Sequence, residues 1–246
     1  MFSPPLALAS LSGQSDADWA RAGADWAGCA VLGGIALDQP SREAARALVA
    51  RDRTEFLPDD PFAFVDDQLA RLEGVPIQAG FNVRSASVDP ITQVARICRD
   101  RNALLEINAH CRQPELCAAG CGETLLADSD RLCRYVEAAD ATGVTVGVKV
   151  RAEVPDVSLS SLCPRLEAAG ASFVHVDAMD SEAVIGEIAD SCDLFVIANN
   201  GVRDGASVRT YFEYGADAVS VGRPSDNPVV LERVARALES EFVTSG

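Results

Sequence analysis

The sequence predicts an α/β protein, a single-domain (β/α)8 TIM barrel spanning residues 1–246, and three observations carry that prediction. Eight short apolar, β-rich runs alternate with amphipathic helical stretches. Runs that are apolar throughout, each followed by a helix, require a parallel sheet covered on both faces or closed on itself. Gly23-Ala24-Asp25, Gly170-Ala171-Ser172 and Gly215-Ala216-Asp217 each precede a run, the pattern of a glycine that ends a helix in the left-handed conformation and returns the chain to the sheet. Finally, 246 residues is close to the ~250 of a typical single barrel.

The elements follow in order. Residues 6–10 form the first apolar run, and the Leu11-Ser12-Gly13 that follows is not the G-x-G-x-x-G turn of a dinucleotide fold. Further runs lie at 29–33, 77–82, 104–108, 145–150, 173–177, 194–200 and 218–223. Helical periodicity fills the gaps at 41–53, 61–72, 90–100, 130–141, 159–168, 182–189 and 228–241. No linker or low-complexity tract interrupts the alternation.

A net charge of −16 argues against casual binding to polyanions or membranes. Together with a single lysine and alanine-rich helices, it has the character of an acidic, halophilic proteome, in which the charge mainly answers the solvent. The charge is uneven: residues 84–151 carry nine basic and nine acidic side chains, while the flanks are strongly acidic. The middle segment, with Arg84, Arg112, Arg131, Arg134 and Arg151, is therefore the part least hostile to an anion. No basic, apolar leader and no membrane-length apolar run is present, and a cytoplasmic location is expected.

Eight cysteines in a chain with ample core and no secretion signal are expected to be reduced. Cys111, Cys117 and Cys121 form C-x5-C-x3-C, which matches no usual zinc or iron–sulfur spacing, so no metal is expected.

The chemistry concentrates in rare residues. Lys149 is the only lysine beside 20 arginines, and it ends the run Val146-Gly147-Val148-Lys149-Val150. An ammonium is a compact point charge with three rotatable donors, whereas a guanidinium is a planar fork, so retention of Lys marks a site that needs the first shape. The two histidines, His110 and His175, lie just past Glu106-Ile107-Asn108 and within Phe173-Val174-His175-Val176. Three rare titratable groups near three strand ends point to one site, at the face where barrels of this kind place their chemistry. Asn199-Asn200-Gly201 and Gly222-Arg223-Pro224-Ser225 close the seventh and eighth runs. Loops there commonly hold a phosphate; glycine lets backbone approach it and Arg223 can grip it bidentately.

With these pieces in order, the chain resembles the dihydrouridine synthase family of FMN-dependent barrels, near the dihydroorotate and dihydropyrimidine dehydrogenases. Leu8-Ala9-Ser10-Leu11-Ser12-Gly13-Gln14-Ser15-Asp16 is similar to the family's A-P-M-x-G-x-T-D, and Pro76-Ile77-Gln78 to its V-Q-L strand. Glu106-Ile107-Asn108-Ala109-His110-Cys111, then Gly120-Cys121-Gly122-Glu123-Thr124-Leu125-Leu126, resembles D-x-N-x-G-C-P and G-x-G-x-x-L-L. Val148-Lys149-Val150-Arg151 looks like V-K-x-R, Val174-His175 like the strand-six histidine, Asn200-Gly201 like the N-G turn, and Gly222-Arg223 like the closing G-R.

The resemblance implies that Gln78 and Lys149 bond the pyrimidine edge of FMN, that His175 lies beside the isoalloxazine, and that Asn200, Gly201, Gly222 and Arg223 hold the phosphate. It implies Cys111 as the acid that protonates a pyrimidine ring during reduction of its C5=C6 bond, with Asn108 orienting substrate or flavin and Arg151 contacting an anionic substrate group. His110 is placed to lower the thiol pKa or to serve as the acid itself. The implied partner is a pyrimidine substrate, tRNA uridine by family default, with NAD(P)H as external electron donor.

Departures concern the substrate rather than the flavin. Arg112 stands for the family's Pro and His110 for its Gly, Val174-His175-Val176-Asp177 lacks the Arg of H-G-R, and Ser10-Leu11 replaces Pro-Met. The chain also stops just after the last barrel helix, so the C-terminal helical domain that grips tRNA is expected to be missing. A small pyrimidine is then the alternative substrate. Two other functions stay open: a flavin-free barrel lyase or aldolase with Lys149 as Schiff-base nucleophile, and a non-catalytic flavin-binding protein.

Overall fold

A computed structural model describes residues 1–243. Eight parallel strands close into one barrel in sequence order: β1 (Leu6–Leu8), β2 (Cys29–Ala36), β3 (Gln78–Arg84), β4 (Leu104–Asn108), β5 (Val146–Arg151), β6 (Phe173–Asp177), β7 (Phe195–Asn199) and β8 (Ala218–Val221). The ring shuts where β1 pairs with both β2 and β8. The predicted (β/α)8 barrel is thus observed.

The helices are α1 (Ala17–Gly23), α2 (Gln39–Val49), α3 (Pro61–Ala70), α4 (Val88–Asp100), α5 (Pro114–Ala118), α6 (Thr124–Ala127), α7 (Ser129–Asp140), α8 (Leu159–Ala168), α9 (Val184–Ala189), α10 (Gly205–Glu213) and α11 (Pro228–Val243). Their starts are set by local chemistry. Asp38 and Asp204 each form a capping box with the serine three residues on, and Asp60 caps α3 ahead of Pro61. In α4 the buried positions Ile91, Val94, Ala95 and Cys98 follow the i, i+3, i+4, i+7 spacing of one apolar face. No helix among the described residues is long and apolar enough to cross a membrane.

Three local expectations are revised. The second and third strands run on to Ala36 and Arg84, and a register shift between Gly33 and Ile35 accommodates the extra length. Gly170 and Gly215 take the expected positive φ, +100° and +92°. Gly23 does not; it is the last residue of α1, where a Cβ would stand 2.3 Å from Leu8 Cδ1, so it serves close helix–strand packing.

Strand alternation organises the interior. At the amino end the barrel is filled by Ala7, Cys29, Val31, Leu104, Phe173, Ile197 and Ala218. Gly147 makes room for Phe173, whose ring lies 2.4 Å from where a glycine Cβ would be. Two residues further along, the same inward faces present Glu106, Lys149, His175 and Ser220, all buried. The alternate set, including Leu105, Ile107, Val148, Val174 and Val176, packs outward in the core cluster shared with the helices. Apolar below and polar above, the interior points its chemistry to the carboxyl end.

Candidate active site at the carboxyl end of the barrel

A cavity of about 480 Å³ opens at that end. His110 after β4, Lys149 on β5 and Asp177 on β6 line one side. The stretch Asn199 to Arg203 after β7, with Ser220, Gly222 and Arg223 of β8 and its loop, lines the other. A broader groove of about 580 Å³ lies on the outer helices, among Ser87, Arg131, Arg134 and Tyr135. None of the inward-facing strand residues reaches it.

Lys149 is 5% exposed, and its ammonium makes no hydrogen bond or ion pair among the described residues. Its charge is balanced through space by Glu106, which is fully buried. Burial works to raise Glu106, but His175, Lys149 and the Asn82 hydrogen bond outweigh it and hold the carboxyl at about 2. Burial, and then Lys149, push the His175 imidazole below its ordinary value against the pull of Glu106.

The neutral imidazole sorts its protons by its partners. A carboxylate can only accept, so His175 Nδ1 donates to Glu106 Oε2 at 2.6 Å and Nε2 accepts from Ser220 Oγ at 2.7 Å. Asn82 Nδ2 donates to Glu106 Oε1 at 2.7 Å, and Asn108 Nδ2 donates to Asn82 Oδ1 at 2.9 Å. Asn199 Nδ2 donates to Ser220 Oγ at 2.6 Å. One chain of hydrogen bonds therefore crosses the barrel from β3 to β7.

A second pair faces the cavity directly. His110 Nε2 lies 2.6 Å from Asp177 Oδ2. Burial, and secondarily Lys149, hold His110 below its ordinary value, while Asp177 pulls it up. Asp177 is lowered, because the hydrogen bond from His110 and the nearby charges outweigh its burial.

The opposite wall is built largely from open backbone. Gly201 adopts φ +65°, and neither it nor Gly222 has an atom within 4 Å of where a Cβ would stand. Asn200, at φ +94°, donates through Nδ2 to Met179 O at 2.6 Å and so fixes the turn. Arg223 and Arg203 rise beside these glycines, exposed and lining the cavity.

His110, Lys149, Asn200, Gly201, Gly222 and Arg223 are thus gathered at one cavity, as expected from their strand-end positions. The others are not. Gln78 is the first residue of β3, at the opposite end of the barrel, where Nε2 donates to Ala79 O at 3.0 Å and Asn102 O at 2.9 Å. It cannot reach a ligand at the carboxyl end. The amide of β3 near that end belongs to Asn82, in the similarly ordered Phe81-Asn82-Val83.

His175 lies beneath the cavity, fully buried, and meets it only through Ser220. Asn108 turns its side chain to structure, accepting from the backbone N–H of His110 at 3.2 Å and of Cys111 at 3.0 Å. Cys111 packs against the apolar group of Ala44, Leu48, Leu116 and Cys121 and does not line the cavity. Arg151 is buried, 3.5 Å from Glu123, with its Nε unpartnered.

Asp177, Ser220 and Arg203 went unnoticed as site residues. The first two were legible in principle, because Asp177 shares its strand face with His175 and Ser220 is the polar interruption of Ala218-Val219-Ser220-Val221. Arg203 carries no comparable signal.

An open polar cavity over a closed parallel barrel, lined by the chain's single lysine and by glycine turns, defines the class: a (β/α)8-barrel protein whose candidate site lies at the carboxyl ends of its strands. The model of the dihydrouridine synthase family matches residues 77–245, more than half of the chain, and the protein belongs to that family. An uncharacterized protein of Methanocaldococcus jannaschii is 25% identical over 231 residues, covering 89% of this chain and 88% of that protein.

Among solved structures, FabK from Thermotoga maritima and a mutant of it superpose with TM-score 0.60 and 16% identity over 90% of this chain. This chain spans only 61% and 58% of those two FabK chains, mutant and parent respectively. A chain of the tryptophan synthase complex from Pyrococcus furiosus superposes with TM-score 0.60 and 12% identity, over 99% of this chain and 100% of that one. At such identities these likenesses speak to the fold.

Proposed function

We propose that this protein is an FMN-dependent oxidoreductase of dihydrouridine synthase type, reducing the C5=C6 bond of a uracil ring. One observation carries the reading beyond family membership: a nine-tenths-buried, unpartnered Lys149 looks into a cavity whose opposite wall is a glycine and arginine cradle. The residues fit the cofactor, since the bare backbone at Gly201 and Gly222 leaves open space for a phosphate.

When bound, reduced FMN supplies a hydride to an electron-poor double bond. The chain's own residues do the rest. Gly201, Gly222 and Arg223 hold the phosphate, and Asn200 keeps the turn in place. Lys149 would set a fixed positive charge against the negative charge of a reduced flavin. NAD(P)H is the expected source of electrons.

Uridine in tRNA is the substrate implied by the family. A specific observation favours a small pyrimidine as a second reading: Arg84 and Arg151, two of the eight arginines in the least acidic segment, are buried against Glu55 and Glu123. They offer nothing to an RNA backbone, and affinity for nucleic acid rests on such contacts.

A visible absorption spectrum of protein purified in high salt, with the released chromophore identified by mass, tests the cofactor. A flavin spectrum and FMN mass are expected, and unmodified tRNA and free uracil are then compared as oxidants of the reduced protein. A colourless protein that does not take up FMN sinks the reading. Borohydride trapping of a carbonyl ligand on Lys149 would then mark a Schiff-base enzyme.

A further inference from the structure

We propose that Glu106 sets the reduction potential of the cofactor from beneath the cavity, its carboxylate opposing the field of Lys149. The inference rests on the reading of the chain as a flavoprotein. Reducing a flavin by two electrons and one proton adds one negative charge, so a fixed charge nearby weights the two oxidation states differently.

Strand register puts the carboxylate beneath the lysine. Lys149 on β5 is level with Asn108 on β4 and with His175 on β6. Glu106 stands one inward step below Asn108, level with Gly147 of β5. Its Oε2 accepts from His175 Nδ1 at 2.6 Å, so the link runs from β4 to β6 across the strand that carries Lys149. Gly147 has no side chain to block it, and the Phe173 ring closes the interior below.

The charge of Glu106 is fixed. Burial raises the carboxyl, but His175, Lys149 and the Asn82 hydrogen bond outweigh it and hold it at about 2. Oε1 accepts from Asn82 Nδ2 at 2.7 Å, and the side chains of Glu106 and His175 are fully buried. A charge in such a dry layer is screened little, so its field reaches the cavity above.

The other ionisable groups around Lys149 do not do the same. Asp177 also faces it, but lines the open cavity, where solvent weakens its field. Burial holds His175 and His110 below their ordinary value, and they add no charge at pH 8. The cavity floor therefore carries a cation answered by an anion. A bare cation would stabilise the reduced cofactor and make it a poorer hydride donor; the carboxylate keeps it reactive toward an electron-poor double bond.

Glu106→Gln removes the charge and keeps the bonds. The variant amide oxygen accepts from Asn82, and its nitrogen donates to His175 Nδ1 once the imidazole moves its proton to Nε2. Ser220 Oγ then accepts from Nε2 and turns its own hydrogen to Ala198 O, 3.5 Å away.

Anaerobic calorimetric titration of the full chain with oxidised and with reduced FMN at pH 8 gives two dissociation constants, whose ratio fixes the potential of the bound cofactor. E106Q is expected to raise the preference for reduced FMN at least about tenfold, the effect of one unit charge at about 10 Å and an effective dielectric of about 20. For two electrons that is about 30 mV. E106D keeps the charge and is expected to stay within about threefold of wild type. An unchanged ratio in E106Q, or an equal change in E106D, overturns the proposal.

Should E106Q not fold, the double variant K149Q/E106Q, which removes both members of the pair, is compared with K149Q. Loss of the carboxylate is expected to raise the ratio by the same factor, and equal ratios overturn the proposal. A wild-type chain that binds neither form of FMN sinks the flavin reading and this inference with it, whereas FMN bound with an unchanged ratio sinks the inference alone.

Discussion

Glu106 Oε2 lies 2.6 Å from His175 Nδ1, and both side chains are fully buried in the barrel interior. Burying a carboxylate is costly unless its lone pairs are occupied and its charge is answered. Here Asn82 occupies the second oxygen and Lys149 answers the charge. The one lysine of the chain thus faces two ways, toward Glu106 below and toward the cavity above.

Breaking that arrangement from the inside is expected to unfold the protein more readily than trimming its edge. His175→Ala leaves an ionised carboxylate short of a partner and is expected to cost about 3 kcal/mol. Ser220→Ala removes one outer hydroxyl and is expected to cost about 1 kcal/mol. Urea midpoints of the two variants give the comparison, and equal losses would show that the network is not centred on the Glu106–His175 pair.

Acid should destabilise the fold in two stages. His175 is held neutral below its ordinary 6.5, so the folded state binds fewer protons there and its contribution is lost as pH falls beneath that value. Glu106 is held at about 2 against an ordinary 4.5, so its contribution is complete above 4.5 and disappears between 4.5 and 2. Urea midpoints measured from pH 8 downward are expected to decline below 6.5 and more steeply below 4.5. Glu106→Gln should flatten the lower stage, and an unchanged slope in that variant would count against it.

Lys149→Gln is expected to weaken FMN binding by at least about tenfold, the scale of one hydrogen bond to a charged group. Lys149→Arg should not restore it, because a planar fork does not replace a compact ammonium. Flavin fluorescence titration measures both, and wild-type affinity in the Gln variant would remove Lys149 from the site.

Gly201→Ala separates stability from binding. With φ at +65°, an alanine there is expected to cost about 1 kcal/mol in the urea midpoint. The added methyl meets no protein atom within 4 Å and stands in the space assigned to the phosphate. Loss of FMN affinity well beyond the stability loss is the expected result of calorimetric titration, and unchanged affinity would move the phosphate elsewhere.

Much of this was legible along the chain. The eight runs announced themselves through unbroken apolar character, whereas α10, started by Asp204 with Ser207, is not among the helical stretches read from periodicity. The strand ends were less legible. Gln78 was assigned by the likeness of Pro76-Ile77-Gln78 to the family's V-Q-L strand, but β3 begins at Gln78, so its side chain stands at the amino end of the barrel. Cys111 was assigned by its place in the Asn108-Ala109-His110-Cys111 motif, and in the structure it lies beside Leu116 and Cys121, outside the residues that line the cavity.

The sequence by itself determined the barrel, the parallel order of its strands and the clustering of Lys149, His110 and the glycine turns near one end. Alternation, helical spacing and turn chemistry are local, so they can be read from neighbours in the chain. Only the tertiary structure decided the partners: His110 with Asp177, 67 residues apart, and His175 with Glu106 and Ser220, 69 and 45 apart. Those contacts exist because barrel closure brings β4, β6 and β8 around one axis, where desolvation leaves each buried polar group no water to fall back on.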